Sequence, residues 1–278
     1  MRRPASFFVT FLAMLVLVAG GCGGSQPSVN GADPPTTNGS PTSSPTSSPT
    51  SSPTSSPTSS PTSSPTSSSK VATLDANAAD VSVVATATVA SVNVYDAPDA
   101  AKPARSLTSP NLNGVPVVFL VDGKQNDWLR VLLPVRPNGS TGWIRSSDVT
   151  LSLHNFHIEV RLSEFRIKVT QGNDLILETS IGVAKDNTPT PGGRYYTTEL
   201  LRPPTPTTVY GTYAYGLSGF SDTFETFNGG PGQLGIHGTN DPTSIGQKVS
   251  SGCVRLRNED ISRLAAILPL GVPVQIIE

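Results

Sequence analysis

The stretch from Gln233 to Asp260, QLGIHGTNDPTSIGQKVSSGCVRLRNED, decides both the local fold and the chemistry that the chain can carry. It places His237 sixteen positions ahead of Cys253, in a chain that has only three histidines and two cysteines. A thiol is a weak nucleophile until a neighbouring imidazole takes its proton and leaves a reactive thiolate. This pairing makes the stretch a candidate for cysteine catalysis.

Apolar and polar residues alternate at both ends of this stretch, which predicts two short strands with one face in the core. His237, Cys253 and Arg255 then lie on the opposite face, where they can line one groove. The turn Thr239–Pro242 is short enough to bring the two strands together. The core-facing positions are Leu234, Ile236, Val254 and Leu256.

Two further features lie beside the thiol. Gly252 lets the backbone approach a substrate carbonyl closely, and the amides near Cys253 are candidate oxyanion donors. Arg255 is a candidate to hold a substrate carboxylate through a bidentate pair. A surface ion pair is an equally good interpretation of this arginine, and the residues alone leave both open.

Composition narrows the classes of function. The chain has 278 residues, a formal net charge of −1 and 14% charged residues, so it offers no basic face for nucleic acid. The other two histidines, His154 and His157, would point to opposite faces of one strand, and no third ligand stands at a suitable spacing. We therefore expect no nucleic-acid partner, no metal and no organic cofactor.

Residues 1–21 are expected to be an export signal. A basic start precedes the apolar run Phe7–Val18, which is too short to span a membrane comfortably. The small residues before Cys22 resemble the lipobox of bacterial lipoproteins, which implies a lipid on Cys22 and an exported protein anchored at the outer face of the cytoplasmic membrane. The alternative is an ordinary secretory signal cleaved near Ala19 or Gly21. With Cys22 lipidated, the other cysteine is a lone exported thiol.

Residues 22–78 are expected to form a tether. Seven copies of Pro-Thr-Ser-Ser run from Pro41 to Ser68. Without apolar side chains, ordering this segment would cost backbone entropy and bury nothing. Such a tether would let an anchored domain reach from the membrane into the cell wall, over between roughly 40 Å and roughly 150 Å.

Residues 79–152 read as short strands separated by turn residues, with no amphipathic helix. The order of VNVYDAP, DWLRV and TGWIRSSDV resembles a bacterial SH3-like domain, which implies a small β barrel. Such modules either bind cell-wall peptide or pack on a catalytic domain, and we favour packing because no binding residue stands out. The predicted strands are Val92–Tyr95, Val115–Val121, Trp128–Leu132 and Gly142–Ile144.

Residues 153–278 also follow a mainly β pattern. The segment Leu201–Pro231 has no clear periodicity and is predicted to be a long loop, of the kind that often forms a lid or binding wall. Only one helix is predicted, just behind the cysteine, with Asn258 as its N-cap. The predicted strands outside the His–Cys stretch are His157–Leu162, Phe165–Val169, Leu175–Ile181, Arg194–Thr198 and Val272–Ile277.

The sequence IHGTNDPTSIGQKVSSGCVRLRNEDI, with TPTPGG upstream and GVPVQII at the end, resembles the YkuD-type L,D-transpeptidase catalytic domain. The resemblance implies a β-sandwich that cross-links peptidoglycan. Cys253 would attack the carbonyl on the L-centre of the diamino acid in a donor tetrapeptide stem, with His237 as the general base. D-alanine would leave, and the amine of an acceptor stem would resolve the thioester into a 3→3 cross-link. Carbapenems, whose carbonyl mimics the acyl donor, are implied as inhibitors.

The resemblance also assigns neighbouring residues. Ser250, Gly252 and Arg255 fall on the family's motif positions, and Gly238 follows the histidine, which implies oxyanion or substrate-binding roles for all four. Many members carry a second histidine just before the motif glycine, and here that position is Ser251. Ser251 stays among the candidate substrate-binding residues, and the upstream histidine is then the only candidate base.

Two alternatives remain open. An L,D-carboxypeptidase or another hydrolase on the same fold differs only in the nucleophile that resolves the thioester. A non-catalytic, lipid-anchored wall-binding protein is the alternative from another class, although the intact His–Cys pair argues against it. Other thiol enzymes fit less well: NlpC/P60-type peptidases place the cysteine before the histidine, and sortases separate the two by a far longer gap.

Overall fold

The computed structural model describes residues 81–227 and 229–278, all of which belong to one compact unit. The predicted signal peptide, the proposed lipidation at Cys22 and the predicted tether lie outside the described residues. The described chain is mainly β with one short α-helix, as predicted. No helix within it is both long and apolar enough to cross a membrane.

The N-terminal region is a five-stranded antiparallel sheet in the order β6-β5-β4-β1-β7, with β2 and β3 as a separate hairpin. Its core contains Val92, Phe119, Leu129 and Ile144, all fully buried. The strand predicted from Val115 begins only at Val118, because the Val115 carbonyl accepts a hydrogen bond from the Asn111 amide instead of pairing in the sheet. The strands are β1 (Ser82–Ala87), β2 (Ser91–Val94), β3 (Arg105–Thr108), β4 (Val118–Gln125), β5 (Trp128–Leu132), β6 (Thr141–Arg145) and β7 (Val149–His154).

The C-terminal region is a curled eight-stranded sheet, in the order β10-β9-β8-β17-β12-β13-β14-β16, with a small two-stranded sheet of β11 and β15 beside it. Two of its neighbouring pairs, β8 with β17 and β14 with β16, are parallel. The strands are β8 (Phe156–Arg161), β9 (Arg166–Gln171), β10 (Asp174–Ser180), β11 (Val183–Ala184), β12 (Gly193–Leu201), β13 (Ala214–Phe220), β14 (Gln233–His237), β15 (Lys248–Ser250), β16 (Val254–Arg255) and β17 (Pro273–Ile277).

The one α-helix of the described residues, α1 (Asn258–Ala265), packs into the core of this sheet with Ile261 and Leu264, both fully buried. The prediction of Asn258 as the N-cap was wrong by one residue. The cap is Arg257, which makes no side-chain capping bond. Asn258 lies inside the first turn because its side-chain oxygen accepts hydrogen bonds from Thr212 and Thr239, outside the helix.

The prediction of one long loop over Leu201–Pro231 was also wrong in part, because β13 runs through its middle. Tyr215 and Leu217 alternate towards the core there, each 1% exposed. Gly216, Ser218 and Gly219 in the same strand weaken its apolar signal. The prediction that His154 and His157 share one strand was also wrong. His154 ends β7, and His157 lies in β8.

The two regions pack directly on each other. Tyr196 on β12 is fully buried, and its hydroxyl lies 3.2 Å from the carbonyl oxygens of both Val118 and Leu132 in the N-terminal sheet. The Arg194 guanidinium pairs with Asp122 at 2.9 Å. The packing role favoured for the N-terminal module is therefore present in the structure.

Candidate active site

The His–Cys stretch builds one wall of a groove. The strands β14 and β16 are parallel neighbours, with Ile236 opposite Val254 and His237 opposite Arg255. The core-facing residues Leu234, Ile236, Val254 and Leu256 are each 2% exposed or less, as the alternation predicts. The opposite face turns towards a cavity of about 740 Å³, and His237 and Cys253 both line it.

His237 is buried with its ring held in a defined orientation. Its Nδ1 lies 2.6 Å from the Gly238 carbonyl oxygen, and since a carbonyl can only accept, Nδ1 carries the proton and Nε2 is the available base. The Tyr210 ring meets the imidazole edge-on, with centroids 5.0 Å apart. Burial lowers the pKa of His237 to about 4, against the Gly238 hydrogen bond that raises it, and Arg255 lowers it further. The imidazole is therefore neutral at pH 7.

Cys253 immediately precedes β16 and is half-buried. Desolvation raises the pKa of its thiol, while a hydrogen bond from the Gly235 backbone and the charge of Arg255 both lower it. The net direction is upward. The sequence predicts a thiolate near neutral pH, whereas this environment favours a neutral thiol beside a neutral imidazole. Such a pair works by general-base catalysis, in which the proton moves as the sulfur attacks.

The turn before the cysteine is fixed by its own hydrogen bonds. The Ser250 hydroxyl donates to the Cys253 carbonyl at 2.5 Å and accepts from the Gly252 amide at 3.2 Å. Gly252 has φ +126°, which side-chain-bearing residues rarely adopt. The Thr190 hydroxyl donates to the Gly252 carbonyl at 2.8 Å, so the TPTPGG segment supports the turn from outside. Because the Gly252 amide is engaged, the oxyanion donors to consider are the other amides of the turn.

Ser251 and Arg255 line a second cavity of about 210 Å³ that adjoins the first and shares His237 and Cys253 with it. Arg255 forms no ion pair with any residue of the described ranges, and its buried Nε has no hydrogen-bond partner among them. No ion pair of the described residues supports the interpretation of this arginine as a surface ion pair. Among the residues that the structure describes, its Nε is a buried donor without a partner, beside the thiol.

Two functional residues were missed from the sequence. The Asn258 side-chain oxygen accepts from the amides of Thr212 and Thr239, at 3.2 and 3.1 Å, and so joins the start of α1 to the residues after Gly238. Tyr210, the edge-on neighbour of His237, lies in the irregular part of the Leu201–Pro231 segment. The position of Asn258, just after the strand that holds Arg255, is only a weak sequence signal for a role at the site. Tyr210, in a segment without periodicity, has no such signal.

No group of three or more His, Cys, Asp or Glu side chains that could hold a metal lies within residues 81–227 and 229–278. Besides the Cys253 thiol itself, the groups nearest the reactive sulfur are a neutral imidazole, a guanidinium and backbone amides. This set suits acyl transfer through a thioester.

Residues 155–276 match the family model of YkuD, the L,D-transpeptidase catalytic domain. The C-terminal half of the chain therefore matches a YkuD-type catalytic domain. The match begins just before β8 and ends within β17, so it spans the whole curled sheet, the groove and α1. The N-terminal sheet lies outside it.

Two relatives described as candidate L,D-transpeptidases show how far the likeness extends. YkuD of Bacillus subtilis (strain 168) is 35% identical over 121 residues, which are 44% of this chain and 65% of that protein. YbiS of Escherichia coli (strain K12) is 58% identical over 43 residues, 16% of this chain and 14% of that protein. The chain thus spans less than two thirds of either relative.

Two solved structures are similar to part of the chain. An L,D-transpeptidase of Enterococcus faecium covers 44% of this chain and 49% of its own, at 21% identity and a TM-score of 0.34. L,D-transpeptidase 3 of Mycobacterium tuberculosis, in complex with a faropenem-derived adduct, covers 52% and 76% at 16% identity and a TM-score of 0.37.

Proposed function

We propose that this protein is a peptidoglycan L,D-transpeptidase that forms 3→3 cross-links through a thioester on Cys253. The observation that carries the proposal is the joint placement of His237 and Cys253 in one groove of a YkuD-type domain. The proposed substrates are a donor tetrapeptide stem and an acceptor stem, as the family resemblance implies.

The proposed reaction has two acyl transfers. In the first, Cys253 Sγ attacks the peptide carbonyl on the L-centre of the donor's diamino acid while its proton passes to His237 Nε2. The carbon–nitrogen bond breaks, and D-alanine leaves with that proton. In the second, an amine of the acceptor stem attacks the thioester and gives a proton to His237, the carbon–sulfur bond breaks, and the new amide forms. The proton returns to sulfur, so the enzyme is restored.

Supporting groups are assigned from the geometry. The amides of Ser251 and Cys253 are the proposed oxyanion donors, since the Gly252 amide is occupied by Ser250. Arg255, whose buried Nε has no partner in the described part of the chain, is proposed to bind a substrate carboxylate. Gly238 is proposed to act through its carbonyl, which orients the imidazole.

We further propose the remaining organisation expected from the sequence. The N-terminal sheet would be an SH3-like barrel, and the catalytic sheet would belong to the YkuD β-sandwich. A signal peptide over residues 1–21, a lipid on Cys22 and a tether over residues 22–78 would hold both at the outer face of the cytoplasmic membrane, within reach of the wall. Cys22→Ser should then move the protein from the membrane fraction to the soluble one.

Two other functions compete with transfer. In an L,D-carboxypeptidase, water would resolve the same thioester, and the groove geometry would be unchanged. In a non-catalytic wall-binding protein, the thiol would not react at all. Mass spectrometry of the products, with and without an acceptor stem, separates transfer from hydrolysis.

The test of the proposal is covalent labelling of Cys253 by a carbapenem, read by intact mass and peptide mapping, together with 3→3 product formation from purified stems. We expect one adduct per chain on wild type and none on Cys253→Ala, which also forms no product. Undiminished cross-linking by Cys253→Ala would overturn the thioester mechanism. Absence of any adduct and product with wild type would favour the wall-binding alternative.

A further inference from the structure

One buried carboxylate in the groove has no part in the proposed reaction. Glu199 on β12 is only 3% exposed, yet it lines the same 740 Å³ cavity as Cys253. Its Oε2 accepts hydrogen bonds from the side-chain amides of Asn111 at 2.8 Å and Asn113 at 2.9 Å. Both asparagines belong to the N-terminal region, in the loop between β3 and β4. The N-terminal region thus reaches the catalytic groove.

The other oxygen of this carboxylate accepts no hydrogen bond from any residue that the structure describes. Within residues 81–227 and 229–278, Glu199 Oε1 accepts no hydrogen bond, and no lysine or arginine forms an ion pair with Glu199. A buried carboxylate costs free energy unless hydrogen bonds or a counter-charge compensate it. The two asparagines hold one oxygen in place and leave the other for a ligand.

The strand register places Glu199 in line with the nucleophile. Glu199 pairs with Gly216 on β13, and Gly216 pairs with Gly235 on β14. Cys253 stands beside Gly235, one step before the first pair of β14 with β16. Residues directly opposite each other on adjacent strands project to the same face of a sheet. All four residues accordingly line one cavity.

The two strand positions between the carboxylate and the thiol are both glycines, and the side-chain amide of Gln233 also lies within 2.9 Å of the Cβ position at Gly216. A Cβ at Gly216 would lie 2.8 Å from Glu199 Oε1, and a Cβ at Gly235 would lie 3.8 Å from Cys253 Sγ. Opposing Cβ positions on paired strands are about 5 Å apart, so Oε1 and Sγ are separated by no more than about 12 Å. An extended peptide of about three residues, or a long side chain, covers that distance.

We propose that Glu199 is a binding subsite for a cationic amino group of the peptide substrate, and that Asn111 and Asn113 position its carboxylate. This inference rests on the proposed function, because it places a stem peptide in the groove. The glycine floor lets the peptide lie flat between the thiol and the carboxylate. An ammonium donating to Oε1 completes the hydrogen bonding of the buried group. The N-terminal region then contributes to substrate selection as well as to packing.

The decisive test is a binding experiment that does not depend on turnover. Two stems are compared by calorimetry on Cys253→Ala: one with its side-chain amine free, and one with that amine acetylated. We expect the free amine to bind about 10- to 100-fold more tightly, and Glu199→Gln in the same background to remove that preference. Glutamine keeps the size of the residue and an oxygen for the two asparagines. Exposed Glu178→Gln on β10 is the matched control and should keep the preference.

Any preference for the free amine that survives Glu199→Gln overturns the subsite. Equal binding of the two stems to Cys253→Ala overturns it too. Neither result bears on the transpeptidase assignment, which stands or falls on the adduct and the product. Conversely, the binding experiment can still be interpreted if the wild-type protein forms no cross-linked product.

The positioning role of the asparagines has its own readout. The double variant Asn111→Ala/Asn113→Ala should raise the KM of the amine-bearing donor about tenfold and leave kcat near wild type, because the carboxylate is still present but no longer held. Unchanged KM with the amine-bearing donor would contradict the positioning role.

Kinetics then distinguish the two sources of the amine. If Glu199→Gln lowers kcat/KM for amine-bearing donors relative to acetylated donors, the donor stem supplies the group. If it raises only the KM of the acceptor, the acceptor stem supplies it. A change in neither parameter contradicts the proposal.

Discussion

The groove has two ends. The nucleophile end, made by His237, Cys253 and Arg255, comes from one short stretch of chain. The carboxylate end, made by Glu199 with Asn111 and Asn113, comes from two distant stretches. His237, Cys253 and Arg255 come from neighbouring strands joined by a single connection. Glu199 instead meets Asn111 and Asn113 across sequence separations of 88 and 86 residues. The difference teaches that, in the proposed function, the C-terminal sheet supplies the bond-breaking groups, while the proposed recognition of the amine depends on contact between the two regions.

The largest effect is expected at the nucleophile end. His237→Ala removes the proposed general base beside the thiol, and kcat/KM for D-alanine release should fall by about 10²- to 10⁴-fold. Stem binding measured by calorimetry should change little, because the carboxylate end is untouched. His157→Ala, an exposed histidine on β8, is the control and should behave as wild type. A loss of less than tenfold for His237→Ala would mean that another group takes the proton.

The sequence predicts the nucleophile end well because its information is local. The alternation of apolar and polar residues assigns the faces of β14 and β16. Ile236 and Val254 are each only 1% exposed, which agrees with that assignment. Local sequence information does not, however, predict the pKa values of these groups. The sequence does not show how deeply His237 is covered, so it predicts a thiolate where desolvation favours the neutral pair.

The second prediction uses that desolvation. The pKa of His237 falls from an unfolded value of 6.5 to about 4 in the folded protein, so between these values the unfolded chain binds the extra proton. Protonation of this residue therefore has no effect on the free energy of unfolding above pH 6.5, and it decreases that free energy as the pH falls towards 4. The loss is about 3 kcal/mol. Urea unfolding at pH 7 and pH 4 should show this additional loss in wild type relative to His237→Gln. Parallel losses in both proteins would contradict burial of the imidazole in its neutral form.

The third prediction concerns the support behind the nucleophile end. Asn258→Ala removes the acceptor for two backbone amides, those of Thr212 and Thr239, and should lower the free energy of unfolding by about 2 kcal/mol. Because Thr239 follows the glycine that orients the imidazole, kcat/KM should also fall by about tenfold. Asn258→Asp keeps an acceptor at a helix start, where a negative charge is favourable, and should restore most of both losses. Equal damage from the two variants would show that the amide nitrogen of Asn258 matters instead.

The carboxylate end could not be predicted in the same way. Glu199 lies in a strand with the unremarkable pattern of a charged residue beside apolar ones, and Asn111 and Asn113 read as ordinary loop residues. Only the packing of the N-terminal region on β12 brings them together. The sequence does predict that the N-terminal module packs on the catalytic domain, but register and burial decide which side chains meet.

The smallest effect is expected where the two regions join away from the groove. Tyr196→Phe removes a hydroxyl that lies 3.2 Å from two carbonyl oxygens of the N-terminal sheet, and the free energy of unfolding should fall by about 1 kcal/mol. Tyr215→Phe is the matched variant, because its hydroxyl bonds to two carbonyls at the end of α1, within the catalytic half alone. Both should lose similar stability in urea, and neither should change the preference for amine-bearing stems. If Tyr196→Phe weakened that preference and Tyr215→Phe did not, the position of the Glu199 carboxylate would depend on the whole interface between the two regions. Asn111 and Asn113 would then not be sufficient to hold it.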